Sequence, residues 1–183
     1  MNAVMDEKKI WTYAEYYSLD DDNRYEILEG ELIMASAPGL SHQGISRDLG
    51  FILWTYVKNN KTGTVFFAPV DVVLNKYNVL QTDIVFVSKD NESILEERGI
   101  FGAPDLVVEI LSPSTLRRDR HQKKAVYERF GVKEYWIVDR ANRSIEVFIL
   151  EQDAFTLHAC ATEHETVKSK VIDGFEVKVS EIM

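Results

Sequence analysis

The segment DLVVEIL, residues 105–111, constrains this chain more than any other, because it is apolar at nearly every position and still carries an acid, Glu109, in its middle. A run without in/out alternation belongs to a strand covered on both faces. It is followed by SPSTLRRDRHQKKAVYERFGV and then by a second apolar run, EYWIVD. Gly131 supplies a stop for the intervening helix, and Thr115 or Ser114 a start. Strand, helix and strand in that order predict a crossover unit with parallel pairing. The expected class is therefore α/β, a mixed sheet flanked by helices.

The remainder fills in that frame. YEILEGELIMA predicts a strand or hairpin broken near Gly30, and Ile45, Leu49, Ile52, Leu53 and Tyr56 recur at helical spacing over residues 42–58, with Ser41 as the N-cap. TVFFAPVDVVL and QTDIVFV predict strands joined by a polar connection around Asn75 to Asn78. RSIEVFIL, AFTLHAC, ETVKSKVI and FEVKV predict short antiparallel strands that extend the sheet at the C-terminal end. No repeat or linker interrupts the 183 residues, so a single domain over 1–183 is expected, with a core at about 24–150 and a β extension over 151–183. Cys160 is the only cysteine, which excludes an intrachain disulfide and a cysteine-based zinc cluster. With charges near the start of the chain and no apolar run of about 20 residues, the sequence predicts a cytoplasmic protein without a membrane span or signal peptide.

Charge narrows the function classes. The chain has 21 Lys+Arg against 30 Asp+Glu, a net −9, which argues against nucleic-acid binding through bulk positive charge. Residues 117–124, RRDRHQKK, run the other way with five Lys/Arg and one Asp.

Three residue types sit where burial should forbid them. Strand alternation puts Glu109 on one face with Val107 and Leu111, so its carboxylate needs either a buried cationic partner or a functional reason. Asp83 begins the strand QTDIVFV, where a solvated acid is ordinary, but two acids converging from neighbouring strands would be hard oxygen ligands for Mg²⁺ or Mn²⁺. Lys123 shares its helical stripe with Val126, Tyr127 and Phe130, which turns it toward the sheet; it either snorkels or pairs with Asp119, or it delivers a positive charge to the acids. Arg117, Arg118 and Arg120 lie in the first turns of the same helix, where the macrodipole disfavours cations and a phosphate would be welcome. His42 begins the first helix on its apolar side, as a structural residue or a proton shuttle. Glu26 lies in an apolar stretch from which it could approach the same site, and Asp71 is another strand acid without an evident partner. No Gly-rich phosphate loop, serine nucleophile elbow or His-rich zinc motif is present.

Taken together, RYEILEGELI, SHQGISRDL, FFAPVDVVL, QTDIVFV, GAPDLVVEILSPST, RRDRHQKKAVYERFGVKEYWIVD and RSIEVF resemble the Uma-two family of the restriction-endonuclease-like PD-(D/E)XK superfamily, over about residues 10 to 150. The resemblance implies a restriction-endonuclease-like core, with metal-dependent phosphodiester hydrolysis as the inferred activity. Asp83 matches the Asp of the family's Pro-Asp element, with Thr82 where a proline is usual. Glu109 matches the acid of the (D/E)XK element, whose lysine is absent from its usual place at Leu111. Lys123 matches the lysine that members of this family draw from the following helix, and Glu26 and His42 match recurrent family positions. The implied enzyme is a Mg²⁺- or Mn²⁺-dependent nuclease acting on nucleic acid, DNA foremost, with Asp83 and Glu109 as metal ligands. Lys123 would act as the catalytic cation and Arg117, Arg118 and Arg120 would bind phosphate. Two other classes fit the residues: a nuclease-fold binding module without turnover, motivated by the acidity, and a metal-dependent phosphodiesterase for small molecules. A homodimer through an exposed C-terminal edge strand is also expected.

Overall fold

A computed structural model of the chain describes residues 9–21 and 23–183. The expectation of no signal peptide rests partly on residues 1–8, outside this range. A short helix α1 (Tyr13–Tyr17) precedes the hairpin β1 (Tyr25–Leu28) and β2 (Glu31–Met34) and the long helix α2 (Leu40–Asn60). Then come β3 (Gly63–Phe67), β4 (Val72–Asn75), β5 (Asn78–Leu80), β6 (Ile84–Ser88), β7 (Leu95–Glu96), β8 (Gly99–Phe101) and β9 (Leu106–Ile110). A π-helical stretch, Arg118–Lys123, runs directly into α3 (Lys124–Phe130). The chain continues through β10 (Glu134–Asp139), β11 (Ser144–Glu151), β12 (Ala154–Thr162), β13 (Thr166–Lys168) and β14 (Glu176–Lys178).

The strands form two six-stranded mixed sheets and a separate hairpin. The first sheet has the order β2-β1-β5-β4-β8-β7, the second β12-β11-β10-β9-β6-β3, and β13 pairs with β14 alone. In the second sheet β9 and β10 are parallel, as the strand, helix, strand order requires, and every other pair is antiparallel. Alternation divides its side chains between two cores. Leu106, Val108 and Ile110 meet Ile45, Leu49, Leu53 and Val57 of α2 together with the C-terminal segment. Val107 and Leu111 meet Val126 and Tyr127 of α3 and residues of the first sheet. Both faces are covered, which is why β9 and β10 are buried throughout.

Three elements differ in detail from the sequence expectation. TVFFAPVDVVL is two strands in two sheets: β3 ends at Phe67 and β4 begins at Val72, with Pro69 between them unable to donate to a ladder. Gly39, not Ser41, is the N-cap of α2 and makes no side-chain cap bond; Ser41 lies inside the first turn, where its hydroxyl accepts from Arg140. The helix before β10 starts at Leu116, directly after Thr115 as expected, but is π-helical over Arg118–Lys123, and Gly131 ends it with φ 84° as expected. Among the described residues no helix is long and apolar enough to cross a membrane.

A buried acid fastens the C-terminal strands. Glu134 is fully buried; one carboxylate oxygen accepts from the backbone N–H of Lys170 at 2.7 Å and Val171 at 2.9 Å and from the Ser169 hydroxyl at 3.2 Å, and the other from the Trp136 indole. Removing the acceptor strands these donors, so Glu134→Ala is expected to lower folding stability by about 3 kcal/mol, read as a lower urea midpoint. Any activity measured well below the melting temperature should stay at the parent level.

Candidate active site

The β6–β9 register assembles the two acids. Ile84 pairs with Val108, so one step further along the antiparallel ladder Asp83 stands opposite Glu109. Both side chains leave the same face of the sheet, since Asp83 shares the parity of Val85, and Val85 and Val107 belong to one core cluster. Asp83 Oδ2 accepts the backbone N–H of Ile110 at 2.7 Å and lies 3.2 Å from His42 Nε2, which the first turn of α2 brings over the strand end. That contact holds the His42 imidazole above its ordinary pKa, against the opposing effect of burial.

Lys123 enters from the opposite wall. Its Nζ lies 2.6 Å from Glu26 Oε1 on β1, 3.0 Å from Glu109 Oε1 and 3.9 Å from Asp119 Oδ1, and it is 3% exposed. Burial alone would lower the pKa of this ammonium, but Glu109, Glu26 and Asp119 together outweigh burial and keep it charged. Tyr127 donates its hydroxyl to the same Glu109 oxygen at 2.8 Å. Burial pushes the carboxyl groups of Glu109 and Asp119 up, with Lys123 opposing in each case. Glu26 is fixed by the N–H of Gln81 at 2.9 Å, and Arg118 approaches its second oxygen at 3.7 Å.

These groups, Tyr127 apart, line one cavity of about 260 Å³. Four carboxylates, Glu26, Asp83, Glu109 and Asp119, face it against three permanent cations, Arg24, Arg118 and Lys123, so with the acids ionised and His42 neutral negative charge is in excess by one where desolvation makes excess charge costly. Asp119 Oδ1 is buried and makes no hydrogen bond, and neither does the buried Nε of Arg118. A hard divalent cation fits this donor set. Among the described residues no three His, Cys, Asp or Glu side chains form a ready-made metal cage, but Mg²⁺ characteristically takes one or two carboxylates and completes its shell with water and substrate phosphate.

Of the residues singled out by sequence, Asp83, Glu109, Lys123, Glu26, His42 and Arg118 therefore line one cavity. Arg120 does not: it forks onto Glu146 at 2.7 and 3.0 Å and reaches Asp139 at 3.1 Å. Arg117 is exposed and off the cavity wall. Asp71 is also elsewhere, accepting from Tyr16 at 3.2 Å and Gln81 at 3.0 Å. The sequence reading missed Asp119 as a buried wall of the site and Tyr127 as a ligand of Glu109. Both lie on the Lys123 stripe, at offsets of minus four and plus four, which is the signal that could have found them.

A family model described as "Uma2: Putative restriction endonuclease" matches residues 13–180. A solved structure described as "a putative nuclease belonging to DUF820 from Anabaena variabilis ATCC 29413" is similar in fold, with TM-score 0.77 and 18% identity over 93% of this chain and 96% of that one. A weaker similarity, TM-score 0.39 and 13% identity over 67% of this chain and 14% of that one, links it to the type IIG restriction endonuclease BpuSI. A search of curated proteins gives no match.

Proposed function

The chain belongs to the Uma2 family, and from that premise and the cavity geometry we propose that it is a metal-dependent endonuclease hydrolysing phosphodiester bonds of nucleic acid. The observation that carries the reading is the meeting of Glu109 with both Lys123 and, across the sheet register, Asp83, at a cavity with surplus negative charge. Asp83 and Glu109 would hold Mg²⁺ or Mn²⁺, which when bound supplies Lewis acidity toward the phosphate and lowers the pKa of water.

The chain's own residues account for the rest. Lys123 stays protonated and presents a fixed positive charge to the oxygens of a phosphate entering beside Glu109, where negative charge grows as water adds to phosphorus. The attacking water gives up a proton to solvent as its oxygen bonds to phosphorus, the P–O bond to the leaving strand breaks, and the leaving oxygen takes up a proton from solvent. Glu26 and Tyr127 hold Lys123 and Glu109 in register, so little reorganisation is needed at that moment. His42 anchors Asp83. Arg118, with its unpartnered Nε, supports the phosphate.

The test is cleavage of supercoiled plasmid and of single-stranded DNA and RNA with Mg²⁺ or Mn²⁺. The parent is expected to cut at least one of these and to stop in EDTA, and Asp83→Asn is expected to lose about a hundredfold or more in rate. An inert parent on every nucleic acid overturns the reading. If it then hydrolyses a nitrophenyl phosphodiester, the site serves small molecules instead.

A further inference from the structure

A second groove, of about 670 Å³, opens beside the carboxylate cavity and shares Arg24, His42 and Asp83 with it as walls. Its lining is aromatic: Phe51 is 66% exposed, and Trp54 and Phe67 are each 40% exposed. On α2, Arg47, Phe51, Trp54, Lys58 and the capping residue Lys61 follow at steps of four, three, four and three, which makes one ridge. The buried Ile45, Leu49, Leu53 and Val57 occupy the side turned to the sheet. Phe67 reaches the ridge because Gly50 admits it; a Cβ there would come within 2.2 Å of the ring.

Past Trp54 the surface turns basic. Lys58, Lys61 and Lys89 line the next hollow, which includes no Asp or Glu. Among the described residues none of these three lysines forms an ion pair, and Lys58 lies 4.4 Å from the Trp54 ring centroid. In a chain of net charge −9 these are uncompensated cations. From His42 to Lys58 the helix rises about 24 Å, enough for several nucleotides.

We propose that this track binds a single-stranded polynucleotide, with bases on Phe51, Trp54 and Phe67 and phosphates on Lys58, Lys61 and Lys89, and leads it to Asp83. The inference rests on the nuclease reading and names its substrate class. Unpaired bases expose their π faces to such rings, whereas a duplex keeps them stacked inside. In a two-fold contact a second copy of the chain would cover the rings but set the same lysines against one another, whereas a phosphate backbone neutralises them.

The test is binding, kept apart from cleavage by working in EDTA. Fluorescence anisotropy with labelled 12-nucleotide oligo-dT and oligo-U and a 12-base-pair duplex is expected to show one of the single strands bound at least about tenfold more tightly than the duplex. Phe51→Ala/Trp54→Ala, both exposed positions, should weaken that binding about tenfold or more while circular dichroism stays unchanged. Lys58→Gln/Lys61→Gln/Lys89→Gln should reduce the slope of log K against log salt by about 2. Duplex binding equal to single-strand binding, or strand affinity indifferent to the aromatic variant, overturns the proposal. So does a dimer in light scattering that the aromatic variant dissociates without change in strand affinity. A parent that binds as expected but never cuts leaves the track standing and removes the nuclease reading; one that cuts while the aromatic variant binds like the parent removes the track alone.

Discussion

Lys123→Met is expected to cost about 3–5 kcal/mol of folding stability and to abolish cleavage. The loss follows from what the ammonium holds apart. Glu26, Glu109 and Asp119 lie within 4 Å of it, and all three are 2–3% exposed. Without the cation they face one another in a medium that screens poorly, and each must either take up a proton or draw in water. Methionine matches the stem of lysine, so the comparison isolates the charge from the packing. Combining Lys123→Met with Glu26→Gln should recover part of the stability, because one of the stranded charges is gone, yet restore no activity. Urea denaturation and single-turnover cleavage separate the two effects. Stability unchanged in Lys123→Met would mean that the acids beside it carry protons already.

Glu109→Gln is expected to do the reverse, leaving the fold within about 1 kcal/mol of the parent and lowering the rate by about a thousandfold. The amide oxygen can still accept from Tyr127 and Lys123, and the 2.6 Å contact with Glu26 keeps the ammonium paired. Burial already makes the Glu109 charge costly, as the upward push on its carboxyl group records, so removing that charge relieves the fold. It also removes one of the two anions that the reading assigns to the metal. A Glu109→Gln enzyme that unfolds would show the acid to be structural; one that cuts at the parent rate would remove it from the chemistry.

The sequence makes Glu109 and Lys123 conspicuous for the same physical reason, since a charged residue on an apolar face violates burial and periodicity together. It makes the β9–β10 crossover legible too, because strand, helix, strand admits few topologies. Asp83 is harder to find from composition or pattern: it stands opposite Glu109 only through a β6–β9 register set by the intervening loops and the β7–β8 pair. Arg120 illustrates the limit of charge runs. RRDRHQKK reads as one basic spot, but Arg120 turns to Glu146 and Asp139 whereas Arg118 turns to Glu26. Glu134 is as deeply buried as Glu109 and invisible by the same criterion, because it opens its strand, where an acid is unremarkable, and its partners at Ser169 to Val171 come from a remote segment. The aromatic ridge on α2 is regular in spacing, but nothing in the sequence tells that its exposed side adjoins the carboxylate cavity.

The central claim is that Asp83 and Glu109 form one cation site beside Lys123. Anomalous diffraction from crystals soaked in Mn²⁺ tests it most directly. The account predicts a peak in contact with carboxylate oxygens of both residues in the parent and its loss in Glu109→Gln; a Mn²⁺ peak elsewhere on the protein, or none at the Asp83–Glu109 pair, would contradict it.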